Sequence, residues 1–282
     1  MPVITIPPGQ PFSLDQTLGC GQVFRWDRAP DGTWLGVVGR NVIRIRQEGR
    51  RLMFSGVSAD VIRSYFSLDV DLVPILSSID TDPVIHAAIE RCRGLRLVRQ
   101  PPWECTASYI CSTNSNIPTI RRRIASLAEQ FGKPVKSEGQ TFYTFPEPSC
   151  IAGKGQDNLA VCRLGYRQPY VHGTSCSVTD VTCWEETIRS LPYEEARKEM
   201  MKLQGVGPKA ADCIILFGFQ KYEAFPVDVW IRRILQKHYL PELATGAPVT
   251  NREYDRIRIF AREHFGDYCG WAQEYLYAAR LE

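Results

Sequence analysis

The segment LQGVGPKAADC, residues 203–213, narrows the choice of fold more than any other part of the sequence. A helical pattern that starts near Pro192 leads into it. Gly205 and Gly207 then give a tight turn that tolerates positive φ, and Pro208 suits the first position of a new helix. The segment therefore predicts a helix, a glycine hairpin and a second helix.

The chemistry of this hairpin points to a reactive amine. Backbone N–H groups at such a turn, beside a helix N-terminus, form a natural seat for phosphate. Lys209 stands in the first turn of the second helix, where the macrodipole favours anions. That positive potential disfavours the ammonium form and so favours a nucleophilic amine. Asp228 follows in the extended PVDVW break, which makes the two residues a candidate nucleophile and carboxylate pair.

Composition sets wide bounds on the class of protein. The 282 residues are 44% hydrophobic and 23% charged, as in ordinary globular proteins of one to three domains. The net charge of +3 does not exclude nucleic acid, because binding needs only a local basic face. No apolar run approaches the roughly 20 residues of a membrane span. The start MPVITIPPGQ lacks the regions of a signal peptide, so we expect an intracellular protein with no membrane partner.

Ten cysteines require an explanation. None form C-x-x-C, and no cluster of four lies near the C-terminus, which disfavours a zinc site or an iron–sulfur cluster. We expect reduced, mostly buried thiols, with no metal and no cofactor.

The pattern of the chain changes near residue 96. Residues 1–95 contain short apolar or alternating runs at 3–6, 22–26, 33–38 and 42–46, separated by turn residues, which predicts an antiparallel sheet. We expect flanking helices near 60–68 and 83–92. Residues 96–282 read as mostly helical. The predicted class is α+β, with a sheet domain at 1–95 and a helical region at 96–282.

Within the helical region, one stripe is especially regular. Ile117, Ile120, Ile124, Leu127 and Phe131 recur at steps of three and four, which predicts one apolar helix face. The residue before this stripe, an asparagine, can cap the helix. The run RRR at 121–123 lies largely off the stripe, and both a solvated face and phosphate contact stay open for it.

The hairpin and PVDVW together resemble the helix-hairpin-helix DNA glycosylase superfamily in its lysine-bearing, bifunctional form. The helix-hairpin-helix would lie near 193–219. More narrowly, the spacing of Lys209 and Cys213 is similar to that of the eukaryotic-type 8-oxoguanine DNA glycosylase. The likeness extends from Gly21 to Tyr277, so it covers nearly the whole chain.

This resemblance implies a bifunctional repair enzyme acting as a monomer on double-stranded DNA that contains 8-oxoguanine. The base would be flipped out, Lys209 would attack C1′, and Asp228 would stabilise the positive charge on the sugar. The Schiff base would then permit β-elimination at the abasic site. The compartment would be the cytoplasm or nucleoid of a prokaryote, or a eukaryotic nucleus.

The resemblance also assigns a base pocket. Gly21, in the segment GCGQVFRW, would read the N7 hydrogen with its carbonyl group, although a plain turn glycine is the alternative. Cys213 would form a charge dipole with Lys209, or would be a core residue. Gln273 would hydrogen-bond the Watson–Crick edge of the base, and Tyr277 would stack on the base. The alternative is a half-buried aromatic helix without a binding role, which is the commoner structure for such a pattern. Neighbouring Asp212 is expected to be a solvated helix residue.

A second group would act on the DNA strands. Asn114 and Arg167 would contact the orphaned cytosine, and Tyr166 would be the wedge that buckles the duplex. Gly205 and Gly207 would hold a phosphate. Without the resemblance, each of these would be an ordinary loop or cap residue.

Two positions depart from the family pattern. Thr119 stands where animal members place an arginine toward the orphaned cytosine, and Trp230 stands where they place a histidine near the lesion phosphate. The first change predicts broader tolerance of the opposite base.

Two other functions stay open from the sequence. One is a glycosylase for alkylated bases, which would not use a catalytic lysine. The other is a non-catalytic helix-hairpin-helix DNA-binding protein, which would need neither Lys209 with Asp228 nor an aromatic pocket helix.

Overall fold

The computed structural model describes residues 1–243 and 249–280. Its N-terminal part contains an antiparallel sheet of five strands in the order β1-β5-β4-β3-β2. The strands are β1 (Val3–Thr5), β2 (Trp26–Arg28), β3 (Trp34–Val38), β4 (Asn41–Glu48) and β5 (Arg51–Ser55). The predicted strands at 3–6, 33–38 and 42–46 are confirmed, whereas the run at 22–26 becomes a strand only at its last residue. β5 was not predicted.

One face of the sheet is apolar and covered. Ile43 and Ile45 on β4 alternate with less buried residues and are fully buried, as the period of a strand requires. The ring of Trp26 crosses the sheet so closely that a Cβ on Gly36 would lie 2.3 Å from it, which explains the glycine. The Trp26 indole N–H donates to the Tyr65 hydroxyl at 2.8 Å and so ties the sheet to the helix behind it.

Helices make up most of the remaining chain, and the α+β prediction is confirmed. The first part contains α1 (Leu14–Gly19), α2 (Ala59–Tyr65), α3 (Leu72–Ile79) and α4 (Pro83–Arg91). The second part contains α5 (Pro102–Ser112), α6 (Ile117–Phe131), α7 (Pro148–Ala152), α8 (Gln168–Asp180), α9 (Trp184–Ser190), α10 (Tyr193–Met200), α11 (Pro208–Phe219), α12 (Val229–His238), α13 (Asn251–Phe265) and α14 (Cys269–Ala279), with a hairpin of β6 (Pro134–Ser137) and β7 (Gln140–Tyr143). α1, α3, α7 and β6 were not predicted. Among the described residues, no helix is long and apolar enough to cross a membrane.

The larger hydrophobic core forms around α5, α11 and α14. Gly270 lets α14 approach closely, because a Cβ there would lie 2.5 Å from Leu216 and 2.6 Å from the carbonyl oxygen of Ala224. Buried residues of α3 and α4 belong to this core, whereas the sheet and α2 form a separate cluster. The domain boundary at residue 95 stays a prediction.

The stripe helix α6 has the predicted cap and a buried face. The Asn116 side chain accepts from the Thr119 N–H at 3.0 Å. Two of the three arginines form hydrogen bonds to other segments of the protein. Arg121 donates to the Trp26 carbonyl group, and Arg123 donates to the Ser115 hydroxyl at 2.6 Å. These two therefore fix α6 to the sheet and to the loop before it, and Arg122 is the exposed member of the run.

The prediction for Asp212 is wrong. Its carboxylate is fully buried and accepts from the Tyr193 hydroxyl at 2.8 Å, the Tyr254 hydroxyl at 2.7 Å and Arg197 at 3.2 Å. Arg258 lies 3.8 Å away. α11 is buried on all sides, so a carboxylate on it needs partners from α10 and α13.

Candidate active site

The predicted hairpin joins α10 to α11. Gly205 has φ +77, and a Cβ there would lie 2.6 Å from Tyr170, so both the backbone and the available space favour glycine. Gly207 instead is extended, with φ −89 and ψ −179, and is the N-cap of α11. The prediction of positive φ is therefore confirmed at Gly205 and wrong for Gly207. The turn leaves the first N–H groups of α11 at the surface end of the helix.

Lys209 lies in the first turn of α11 and is half-buried. Its Nζ atom sits 5.0 Å from the centre of the Tyr109 ring. Cys213, one turn further along, lies within hydrogen-bond reach of the amine. The Tyr109 ring stacks on Phe217 with 5.9 Å between centroids and 8° between planes, so the lysine rests on a fixed aromatic support.

Asp228 is held at the start of α12. One of its carboxylate oxygens accepts from the Trp230 N–H at 2.9 Å and from the Ile231 N–H at 2.8 Å. This is N-cap geometry, which is favourable for an anion at the positive end of the helix. The carboxylate therefore has a fixed position.

A cavity of about 130 Å³ brings these groups together. Its lining contains all six residues predicted for the catalytic pair and the base pocket: Gly21, Lys209, Cys213, Asp228, Gln273 and Tyr277. Ser112, Ser115 and Ile117, at the end of α5 and the start of α6, line it too. A single concave site thus receives side chains from both halves of the sequence.

The Gly21 segment forms one wall. Gly21 has φ +101, a conformation that L side chains rarely adopt. Gln22, next along the chain, is buried and donates to the carbonyl groups of Thr17 at 2.9 Å and Arg96 at 2.8 Å. Its own side-chain oxygen accepts from the Val98 N–H at 2.8 Å. These bonds fix the Gln22 side chain, and Gly21 beside it lines the cavity.

Helix α14 forms another wall. Gln273 is 5% exposed, and within residues 1–243 and 249–280 its Oε1 atom has no hydrogen-bond partner. Buried polar groups normally have partners, so this amide is poised for a ligand. Tyr277 lies one turn further on, and the guanidinium group of Arg280 sits 3.8 Å from its ring centre and 5.0 Å from that of Trp230.

The charge dipole of Cys213 and Lys209 that the resemblance implies stays a prediction. Burial raises the pKa of the Cys213 thiol to about 12, although the neighbouring Lys209 amine lowers it in part. Burial therefore favours the neutral form of the thiol in the unliganded protein.

The predicted strand-contacting residues also lie together. Asn114 has φ +48, and its amide donates to the Tyr166 hydroxyl at 3.3 Å. Tyr166 is 51% exposed, as a wedge would be. Arg167 is only 4% exposed, lies 4.1 Å from the Tyr166 ring centre and donates from Nε to the Thr113 carbonyl oxygen at 3.0 Å. In the unliganded protein it braces the loop.

The cavity lining also includes residues for which the sequence predicted no role in the site, among them Tyr109, Phe217 and Glu274. Tyr109 and Phe217 carried no local signal, because they become neighbours only when α5 packs on α11. Glu274 did carry a local signal. It stands three residues before Tyr277 on a mostly apolar helix, so the two side chains share one face of that helix.

The fold and the site define a lysine-bearing DNA glycosylase of the helix-hairpin-helix class. A family model described as "8-oxoguanine DNA glycosylase, N-terminal domain" matches residues 3–106. The "probable N-glycosylase/DNA lyase" of Methanothermobacter thermautotrophicus is 34% identical over 77% of this chain and 72% of its own length.

Two further relatives cover almost the whole chain. The "N-glycosylase/DNA lyase OGG1" of Arabidopsis thaliana is 29% identical over 96% of this chain and 78% of its own. The solved Clostridium acetobutylicum 8-oxoguanine glycosylase/lyase, in complex with double-stranded DNA containing cytosine opposite 8-oxoguanine, is 32% identical with a TM-score of 0.87. It covers 95% of this chain and 91% of that one. This chain belongs to the 8-oxoguanine DNA glycosylase family.

Proposed function

We propose that Lys209 and Asp228 carry out excision of 8-oxoguanine from duplex DNA, followed by cleavage at the abasic site. The observation that supports this most directly is their shared position in a cavity that also presents Gly21, Gln273 and Tyr277. The enzyme is therefore bifunctional: it acts as a glycosylase on the damaged base and as a lyase at the abasic site. Such an enzyme works where the genome lies, which is the cytoplasm or nucleoid of a prokaryote or the nucleus of a eukaryote.

The chemistry proceeds through a covalent bond to Lys209. The neutral amine attacks C1′, the C1′–N9 bond breaks, and the base leaves with the bonding electron pair and takes up a proton. The Asp228 carboxylate, fixed by its helix cap, stabilises the positive charge that develops on the sugar. Opening of the sugar ring gives a Schiff base. Loss of a C2′ proton then expels the 3′ phosphate by β-elimination.

Recognition of the base rests on four cavity residues. The Gly21 carbonyl group accepts the N7 hydrogen of the oxidised purine, which guanine lacks. The Gln273 amide, which has an unused buried acceptor, pairs with the Watson–Crick edge. The Tyr277 ring and the aliphatic and thiol surface of Lys209 and Cys213 enclose the base faces.

The DNA strands are held outside the cavity. The hairpin at Gly205 and Gly207 presents backbone N–H groups to a phosphate. The exposed Tyr166 enters the duplex, and Asn114 fills the space left by the flipped base. Arg167 must exchange its bond to the loop for one to the orphaned base, so DNA binding remodels this loop.

Borohydride trapping tests the assignment. The unmodified protein should form a covalent adduct with a duplex containing 8-oxoguanine, and Lys209→Gln should form none. Lys237→Gln is the matched control, because Lys237 is exposed on α12 and does not line the cavity. An adduct that persists in Lys209→Gln would overturn the role of the lysine.

A panel of damaged bases separates the two other candidate functions. Excision of alkylated bases without an adduct would support an alkylated-base glycosylase, and binding without excision would support a non-catalytic protein. The support for Lys209 as nucleophile favours the bifunctional enzyme over both.

A further inference from the structure

Glu274 is a buried acid that the mechanism above does not use. It is 3% exposed and lines the same cavity as Lys209 and Asp228. Its Oε1 atom has no hydrogen-bond partner within the part of the chain that the structure describes. A buried carboxyl oxygen without a partner is costly, because it loses its water and gains nothing in return. An atom of this kind that faces a cavity indicates a ligand.

The surroundings of Glu274 determine its charge. Burial raises the pKa of Glu274 to about 8; a hydrogen bond with Cys20 lowers it, the charge of Asp228 raises it, and Arg280 and Lys209 lower it. The titratable and charged groups that face it are Cys20, Tyr109, Lys209, Asp228, Tyr277 and Arg280. The acid is therefore mostly protonated at neutral pH. It offers one O–H donor to the cavity, which a carboxylate cannot.

We propose that Glu274 is a further base-recognition residue, whose carboxyl group donates a hydrogen bond to the C8 carbonyl oxygen of the extruded purine. This assignment rests on the proposed function. Oxidation adds two polar groups to guanine: a donor at N7 and an acceptor at O8. The Gly21 carbonyl group can satisfy only the donor, so the acceptor requires a donor from the protein.

The position of Glu274 favours O8 over O6. Its hydrogen-bonding neighbour Cys20 directly precedes Gly21, so the acid lies on the same side of the cavity as the reader of N7. Gln273 covers the Watson–Crick edge, which includes O6. O8, adjacent to N7, is the acceptor that remains. A site that hydrogen-bonds a ligand group selects strongly against ligands without it.

Two activities of the same protein separate base recognition from a structural role. Base excision is measured under single turnover on a duplex with 8-oxoguanine opposite cytosine. Strand cleavage is measured on a duplex with a preformed abasic site, which contains no base for Glu274 to contact. Glu274→Ala should slow excision about 10-fold and leave abasic cleavage within about twofold of the unmodified protein.

Matched variants complete the design. Glu274→Gln should keep excision within about threefold, because the amide also donates. Tyr275→Phe, on the same helix, removes a hydroxyl that bonds the Leu95 carbonyl group at 2.9 Å outside the cavity, and should leave both activities unchanged. In the unmodified protein, excision should fall as pH rises from about 7 to about 9, because ionisation removes the donor. Glu274→Gln should lose this decline.

Three results have distinct meanings. Equal loss of excision and abasic cleavage in Glu274→Ala would show a structural role and overturn the assignment. Unchanged excision in Glu274→Ala would overturn it too, with the proposed function intact. No excision by the unmodified protein would overturn the proposed function itself.

Discussion

The Nζ atom of Lys209 lies 5.0 Å from the centre of the Tyr109 ring, and that ring stacks on Phe217 behind it. The amine and its support belong to two packed helices, α11 and α5. Lys209 and Tyr109 both line the cavity, so the flat face of the ring limits where the amine can lie. Under the proposed function, positioning of the nucleophilic amine therefore depends on a residue that does no chemistry itself.

This contact predicts a graded effect at Tyr109. Tyr109→Phe keeps the ring and should form the borohydride-trapped adduct at nearly the normal rate. Tyr109→Leu removes the ring face and should slow adduct formation about 10-fold, because the amine loses the surface that positions it for attack. The rate is measured on an abasic duplex, so that base recognition does not enter. Equal rates for Leu and Phe variants would contradict the supporting role.

The backbone at Gly21 predicts a specific loss of base excision. An alanine at φ +101 is strained, and its Cβ would lie 2.9 Å from Ile117, so the carbonyl group that we propose reads the base should turn away. We expect Gly21→Ala to lower the free energy of unfolding by about 1–3 kcal/mol and to reduce excision more than abasic cleavage. Gly19→Ala is the control, because nothing lies within 4 Å of its Cβ and its φ is not positive. Equal effects at both glycines would count against the assignment.

The structural features that the sequence predicts correctly depend on local preferences. The hairpin and the place of Lys209 in the first turn of α11 follow from turn and helix-start preferences within a few residues. The N-cap role of Asp228 was not predicted, although an aspartate just before a helical run is a helix-start signal. The spacing of Gln273 and Tyr277 follows from one helical turn. Their meeting in one cavity, however, depended on the family resemblance, because periodicity alone does not say which helices pack.

The failures at Asp212 and Glu274 have one physical cause. Both acids stand on helices buried on all sides, and their environment comes from distant segments: Tyr254 for the first, Cys20 for the second. A local reading assigns a charged residue to the solvated face of a helix. Only the tertiary structure shows that Asp212 is surrounded by hydrogen-bond partners and that Glu274 has a carboxyl oxygen without one among the described residues.

The buried network predicts a large stability effect at Asp212. Asp212→Asn keeps the shape but leaves Arg197 and Arg258 without a buried counter-charge, and should lower the free energy of unfolding by about 3–5 kcal/mol. Asp255→Asn is the matched control. Asp255 bonds Arg258 at 3.1 Å but is 55% exposed, and its loss should cost less than about 1 kcal/mol. Urea unfolding measures both, and similar values for the two variants would contradict the network.

Thr119 predicts the response to the opposite base. Its hydroxyl accepts from Arg122 at 3.2 Å, and it cannot provide the forked donor of an arginine. We expect excision of 8-oxoguanine opposite each of the four bases to vary by less than about 10-fold, and Thr119→Arg to raise the preference for cytosine by about 10-fold. Single-turnover rates on four matched duplexes measure this. Strong restriction to cytosine in the unmodified protein would contradict the prediction.

Glu274 finally predicts how stability depends on pH. Its pKa rises from 4.5 in the unfolded chain to about 8 in the folded protein, so between these values the folded state holds a proton that the unfolded state has released. Its contribution to the free energy of unfolding is fully present below the lower value and falls by roughly 1.4 kcal/mol per pH unit toward the higher one. Glu274→Gln cannot titrate, so its stability relative to the unmodified protein should increase over this range. Urea unfolding of both proteins at about pH 5.5, 6.5 and 7.5 gives the difference, in which other titrating groups cancel. A constant difference across the series would show that Glu274 ionises alike in both states.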